Sequence, residues 1–261
     1  MNASAHTQQQ KQLKILLIGD DCTDVYQYGS VERISPEAPV PVFKYGRLES
    51  VGGMARNVKH NLEELGCTVV YMSGETSEKT RLIDDRSKQH ILRVDQDVQS
   101  QPLNFDDIPY TLGNCDAVVI SDYNKGYVSY ELIEKIIAHS NHGVNFPVFI
   151  DTKKTDLERF QGAWVKINSL EYSLIKSECS GLIVTQGEQG AKVPHHDLYE
   201  PAPKVEVADV CGAGDTFLSA LTYKWCITRD IRDAIRFAIK ASAITVQHLG
   251  NYAPTLKEIN G

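Results

Sequence analysis

Residues 205–226, VEVADVCGAGDTFLSALTYKWC, hold the densest chemistry in the chain. Gly212, Ala213, Gly214 and Asp215 stand between two apolar runs. Residues 205–210 are rich in β-branched side chains and predict a short strand. Phe217, Leu218, Leu221 and Trp225 recur at helical spacing and predict a helix. A Gly-Ala-Gly turn at such a handover lets another molecule come close to the backbone. The first N–H groups of the helix have no partner within it and carry partial positive charge, which makes an anion site. Asp215 lies inside that site and has two readings. It can cap the helix start. Or it can take a proton from a hydroxyl while the neighbouring N–H groups hold a phosphoryl group.

The elements that must position this turn follow from the hydrophobic pattern. Residues 13–18, LKILLI, predict a first strand that ends at Gly19-Asp20 and leads to a polar loop with Asp20, Asp21 and Asp24. Residues 25–50 carry Pro36, Pro39 and Pro41, which forbid a helix and disfavour a central strand. They predict a small β excursion. Gly52-Gly53 opens a helix from Met54 to Leu65 that Gly66 ends. Residues 67–73 predict a strand, 75–90 are polar without core periodicity, and 91–95 predict a short strand pairing with the excursion. Further strands are expected over 117–121, 148–150, 164–167 and 181–185, with helices over 130–139, 215–226 and 231–249. This alternation implies an α/β fold with a mostly parallel sheet covered by helices. Ligands of such sheets bind outside the carboxyl ends of the strands. Asp20 to Asp24, Asp122, Asp151, Asn168, Gly187 and the Gly-Ala-Gly-Asp turn gather there, which favours chemistry over capping for Asp215.

The chain has 261 residues, enough for one large core, and its 42% hydrophobic and 23% charged content is that of an ordinary globular protein. A net charge of −7 argues against nucleic acid or an anionic membrane as partner. No apolar run is long enough to span a bilayer, and the polar start, residues 1–12, reads as a disordered tail without a signal peptide. A cytoplasmic location is expected. The six cysteines form no C-x-x-C pair and the eight histidines no H-E-x-x-H motif, so neither suggests a zinc site. A P-loop and a dinucleotide G-x-G-x-x-G motif are both missing.

The motifs together resemble the ribokinase (PfkB-type) sugar kinases, over about Lys14 to Thr255. GDDCTDVYQYG (19–29) looks like the family's sugar-binding loop and VGGMARNV (51–58) like its Gly-Gly helix start. SDYNKG (121–126), IDTKK (150–154) and NSLE (168–171) follow in the family's order. VTQGEQG (184–190) resembles the nucleotide-side segment, and DVCGAGDTF (209–217) the signature with the catalytic base. ERISPEAPVPV (32–42) is most similar to the group that phosphorylates D-glycero-D-manno-heptose 7-phosphate at its anomeric carbon.

The resemblance implies a three-layer α/β/α domain over 13–261, with a β lid from about 25–50 and 80–98. It implies Asp215 as base and the amides of Gly212, Ala213 and Gly214 as holders of the transferring phosphoryl group. Asp24, Gly52, Gly53, Asn57 and Asp122 would meet the sugar. Arg33, Lys125 and Lys153 would meet the substrate's own phosphate. Thr185, Gly187 and Gly190 would line ATP, while Asn168 and Glu171 would hold water around Mg²⁺ without binding it directly. A monovalent cation and a homodimer through the lid are further implications. The chain departs from the family pattern in short segments between Gly74 and Lys79 and between Glu171 and Gly181, in Cys211 for the common Thr, and in Thr152 for the common Pro. The nucleotidyltransferase domain often fused to such kinases is not expected. A kinase of another sugar, or a weakly catalytic sugar-phosphate binder, are the alternative readings.

Overall fold

Strand β1 (Lys14–Ile34) runs unbroken for 21 residues in the computed structural model, which describes residues 12–108, 110–141 and 146–261. The expected tail over 1–12 lies, apart from Gln12, outside the described residues. The first part of β1 is apolar and buried between two parallel neighbours, β3 (Thr68–Asp84) and β5 (Ala117–Asp122). Strands covered on both faces are continuous apolar runs of this kind. Beyond Gly19, β5 no longer pairs and β2 (Pro41–Met54) takes that edge antiparallel, with Asp24 opposite Val51. β3 keeps the other edge for its whole length, past one irregularity at Gly19/Asp21. β4 (His90–Gln96) then pairs antiparallel with the second half of β3. A four-stranded extension, β2-β1-β3-β4, thus grows directly out of the main sheet.

Three expectations change here. Asp20 to Asp24 lie on a strand, not in a loop. Most of 75–90 is strand. β4 pairs with β3, not with the 25–50 hairpin. Ladder bonds from both sides satisfy the backbone through these polar residues, whatever their side chains. Hydrophobic periodicity is blind to that.

The main sheet continues through β6 (Val148–Thr152), β7 (Trp164–Asn168) and β8 (Leu182–Thr185), all parallel, to an antiparallel hairpin of β9 (Ala191–Val193) and β10 (Leu198–Glu200). One face is covered by α1 (Ala55–Glu64), α4 (Ala213–Thr228), α5 (Ile231–Thr245) and α6 (Leu256–Asn260). The other is covered by α2 (Tyr130–Asn141) and short 3-10 turns, while α3 (Ser169–Tyr172) is a single turn after β7. Alternation along β1 sends Ile15 and Leu17 to one core, with Val58, Leu62, Phe149 and Leu221. It sends Leu16 and Ile18 to the other, with Ile133, Ile136, Ile150 and Phe160. The three-layer α/β/α architecture is therefore as expected.

The strand expected over 205–210 does not form. The chain between β10 and α4 is irregular, with Val207 60% and Val210 70% exposed. The β9–β10 hairpin already closes this edge of the sheet, and Glu200 at its end is held by Arg232 and Arg236 of α5. Residues 205–210 do not add to the outer edge of β10; the amides of Ala208 and Asp209 donate to the Val246 carbonyl instead. The expected last helix also stops at Thr245, short of Leu249, and α6 follows unforeseen. The helix expected from Met54 begins at Ala55, so Gly52 and Gly53 belong to the end of β2. All six cysteines are free, and no described helix is long and apolar enough to cross a membrane.

Phe149, fully buried beneath α4, should cost about 3–5 kcal/mol when changed to Ala, whereas Val207→Ser should stay within about 0.5 kcal/mol. Urea unfolding of both variants checks the pair; a comparable loss at Val207 would contradict the irregular, solvated path of 205–210.

Candidate active site

Asp215 does not cap its own helix. The N-cap of α4 is Gly212, left-handed at φ 73°, with no side-chain cap bond. The Asp215 carboxylate instead turns toward α1 and β5. Its Oδ2 accepts from Asn57 Nδ2 at 2.8 Å and its Oδ1 from the Tyr123 hydroxyl at 3.1 Å. The residue is only 6% exposed. Burial pushes the carboxyl up to about 6, against the pull of the Asn57 bond; Asp151 adds to the rise and Lys166 opposes it. Asn57 is itself aimed by Asn61, whose amide donates to Asn57 Oδ1 at 3.3 Å and to its backbone carbonyl at 2.9 Å, and whose Oδ1 accepts from Thr216 at 2.8 Å.

The turn before Asp215 requires its glycines. A Cβ on Gly212 would sit 2.8 Å from Asn57 Nδ2, and its φ is left-handed as well. A Cβ on Gly214 would sit 2.8 Å from Lys166 Nζ. Lys166 is buried and pairs with Asp151 Oδ2 at 2.6 Å, while Asp151 Oδ1 is buried with no partner. Amides of a helix start, a lysine and an orphaned acceptor therefore lie side by side. That donor and acceptor set fits a phosphate chain carrying a hard divalent cation.

Asn168 and Glu171 lie nearby at the end of β7 and are engaged with each other. Asn168 Oδ1 accepts from the Glu171 N–H at 2.9 Å and Glu171 Oε2 from the Asn168 N–H at 2.8 Å, a capping box on α3. Glu171 Oε1 also meets Lys153 Nζ. Thr185 stands opposite Asn168 on β8, and Gly187 and Gly190 shape the turn into β9. These five share the carboxyl end of the sheet. Among the described residues, no group of three or more His, Cys, Asp or Glu side chains is placed to hold a metal ion by itself.

On the extension, Asp24 is buried and its Oδ1 accepts from Arg81 Nη1 of β3 at 2.5 Å. A Cβ on Gly53 would fall 2.2 Å from Asp24 Oδ2, so only glycine lets β2 pass so close. The Gly52 carbonyl accepts from Asn251 Nδ2 at 3.2 Å and ties β2 to the loop after α5. Other candidates are drawn elsewhere. Asp122 is consumed by Thr152, the Asn124 N–H and Lys154 Nζ, the last at 2.9 Å. Lys125 pairs with Asp97 at 2.6 Å. Arg33 is exposed and nine residues beyond Asp24, about 30 Å along the strand. A cavity of about 310 Å³ opens at that far end, lined by Ser30, Asp84, Arg86 and His90 among others, and contains no candidate site residue.

The structure adds residues that sequence reasoning missed. Lys79 of β3 and Lys153 both hold their ammonium groups over the Tyr123 ring, at 5.7 and 5.2 Å from its centroid. Lys79 sat in a stretch without periodicity. Lys166 did leave a signal, a lone lysine in an apolar strand, which buries only when paired.

The pfkB family carbohydrate kinase pattern matches residues 112–258. The D-beta-D-heptose 7-phosphate kinase of Bordetella bronchiseptica is 32% identical to the chain, over 95% of each protein. The chain belongs to the pfkB family of carbohydrate kinases. A bifunctional protein HldE of Nitratiruptor sp. is 33% identical over 94% of this pfkB-family chain, which spans 64% of that relative's length. Both alignments run to 305 positions, more than the chain's 261 residues, so the relatives carry segments that it lacks. In fold it is similar to the ribokinase of Thermotoga maritima, with a TM-score of 0.69 at 17% identity, and to Arabidopsis thaliana ribokinase complexed with ribose and ATP, with 0.70 at 14%. Each match covers 95% of this chain and 98% of the other.

Arg81→Met would leave the Asp24 carboxylate buried without its cation and should cost about 3–5 kcal/mol. Denaturant unfolding measures it; a loss under about 0.5 kcal/mol would mean that Asp24 finds water instead.

Proposed function

We propose that this chain transfers the γ-phosphoryl group of ATP to the anomeric hydroxyl of D-glycero-D-manno-heptose 7-phosphate, giving the 1,7-bisphosphate. The reading rests on one observation above all. Asp215 stands in the first turn of α4, beside amides that lack intrahelical partners, yet its carboxylate is not used as a cap. The Bordetella relative's name supplies a heptose 7-phosphate, and the motif resemblance supplies its configuration and the anomeric hydroxyl.

In this mechanism Asp215 accepts the proton of the attacking hydroxyl, and its raised pKa suits a base working near neutrality. The amides of Gly212, Ala213 and Gly214, with Lys166 behind them, hold the negative charge of the phosphoryl oxygens. Asp24 and Asn57 orient the sugar hydroxyls, and the backbone at Gly52 and Gly53 lets the ring approach. Asp122 supports the loop beneath. Thr185, Gly187 and Gly190 line the nucleotide. Asp151, Asn168 and Glu171 would hold Mg²⁺, partly through water, and the cation when bound neutralises phosphate charge. A monovalent cation is compatible with the same reading. The substrate's own phosphate falls to Lys153 and Lys79, ahead of Lys125 and Arg33, because only the first two face Tyr123 beside the base.

The extension acts as the lid over 25–50 and 80–98. Asp215 is only 6% exposed, and in this reading the extension moves to admit a sugar and then excludes water from the reactive phosphate. Leu48 and Leu92 are about half exposed and align across the sheet through Gln27 and Leu82. These leucines, with Gln27 among them, support a homodimer through the lid. The segments missing relative to the 305-position alignments favour a second reading, a sugar-phosphate binder with little turnover.

ADP release with a panel of sugar phosphates decides between the two. Turnover should appear with the heptose 7-phosphate, and Asp215→Asn should lower it ~10²–10⁴-fold while calorimetry still detects sugar binding. An inactive parent, or an unaffected Asn variant, would sink the kinase reading. The acid limb of kcat/KM should fall about tenfold per pH unit below about 6, because only the ionised carboxylate accepts the proton. Lys79→Met should raise KM for the phosphorylated sugar by about tenfold or more, and Arg33→Met should leave it unchanged.

A further inference from the structure

Tyr123 lies in the SDYNKG stretch just after β5, and the mechanism above gives its side chain no task. Its surroundings are built with care. Its backbone N–H donates to Asp20 Oδ2 at 2.8 Å, an oxygen that also takes the Lys125 N–H at 3.1 Å. The ring is flanked by the Lys79 and Lys153 ammonium groups. The backbone is thus anchored to one carboxylate and the ring is held by two cations. What remains is the hydroxyl, and it points at Asp215 Oδ1 at 3.1 Å.

The geometry is that of a clamp. Asn57 from α1 takes one carboxylate oxygen and Tyr123 takes the other, so the plane of the carboxyl group is set from two separate segments. An ionised carboxylate offers about four lone-pair positions. Two are used, and two remain for an incoming hydroxyl. We propose that Tyr123 is a positioning residue for the base, its phenolic O–H holding Asp215 Oδ1 so that the carboxylate stays ionised and its free lone pairs face the sugar. The proposal rests on Asp215 being the base.

The proton balance is simple. The sugar hydroxyl gives its proton to Asp215, and the phenol keeps its own. Burial and the adjacent Asp215 raise the phenol well above its ordinary value, so it remains a donor through the working range. A buried carboxyl tends toward its neutral form, and a donor to the charged form works against that tendency. The charged groups that face Asp215 besides Tyr123 are Asp151 of β6, Lys166 of β7 and Lys153 after β6. Asp151 opposes ionisation and Lys166 favours it. Neither touches Oδ1, so neither replaces the phenol's hydrogen bond.

Tyr123→Phe removes the hydroxyl and keeps the ring that the two lysines contact. In the ligand-free protein the Asp215 carboxyl is titrated by ¹³C NMR, with Asp215→Asn assigning the signal. The midpoint should rise by roughly one pH unit in the Phe variant. The acid limb of kcat/KM should move up with it. On the alkaline plateau, where Asp215 is ionised in both proteins, kcat should still fall about tenfold with KM little changed, because the carboxylate is less well aimed. Replacing Tyr123 with 3-fluorotyrosine keeps the donor and strengthens it, so the midpoint should move down. That variant serves as the test if the Phe variant does not fold. An unchanged carboxyl midpoint in the Phe variant, or in the fluorotyrosine variant, overturns the proposal. The carboxyl titration needs no turnover, so failure of the base assignment, read from activity of Asp215→Asn, is separable from failure at Tyr123.

Discussion

A carboxylate withdrawn from water and held by two donors is the constraint on which this structure turns. Asp215 can stay buried and ionisable only if α1 delivers Asn57, the turn after β5 delivers Tyr123, and α4 begins at the right height above the sheet. Each delivery has its own support. Asn61 and Thr216 lock Asn57, Asp20 anchors Tyr123, and Gly212 lets α4 start against Asn57 without a clash. A buried polar network of this sort is stable only when its members are satisfied, and it then specifies a single arrangement. The carboxyl end of a parallel sheet is where such segments meet, because every strand hands over to its loop there.

The same logic repeats around the site with ion pairs. Asp24 meets Arg81, Asp21 meets Arg56, Asp122 meets Lys154, and Asp151 meets Lys166. Every pair joins different elements. Taking two charges out of water offsets most of their attraction, so such pairs add little net stability. They do fix where one element stands against another. Asp24 with Arg81 stitches β1 to β3 inside the extension, and Asp151 with Lys166 stitches β6 to β7 beneath the turn of α4.

The extension shows how a shortened chain can retain the parts of the site. The segment between Gly74 and Lys79, which the family resemblance marks as short, is simply the middle of β3. Strand β3 passes from the core sheet into the extension without a detour, alongside a β1 that does the same. The two long strands form one continuous ribbon from beneath α1 to the tip of the hairpin. Motion of the extension against the main sheet must therefore bend these strands, and the irregularity at Gly19/Asp21 is where the ladder is already broken. Sheet and extension are coupled through backbone, not through a flexible linker.

Much of this was legible in the residues alone. The apolar strands from β5 to β8, the helices α1, α2 and α4, and the Gly-Ala-Gly-Asp turn all declare themselves through local pattern, since burial on a sheet or helix face demands a fixed period. The family likeness rode on short motifs whose chemistry is local as well. Tertiary structure decided the rest. Residues 205–210 have strand-like composition but bond to the end of α5 at Val246, not to a strand, while Asp20 to Asp24 and 75–84 are polar yet become strand because neighbouring strands offer ladder bonds. The acidic and basic candidates looked alike in the chain. Asp122 and Lys125 are taken up by Lys154 and Asp97, whereas Tyr123 reaches Asp215 and Lys79 reaches the Tyr123 ring from segments far apart in the chain. Periodicity reports what each residue wants to bury, but pairing partners belong to the assembled sheet, and no single stretch of chain contains them.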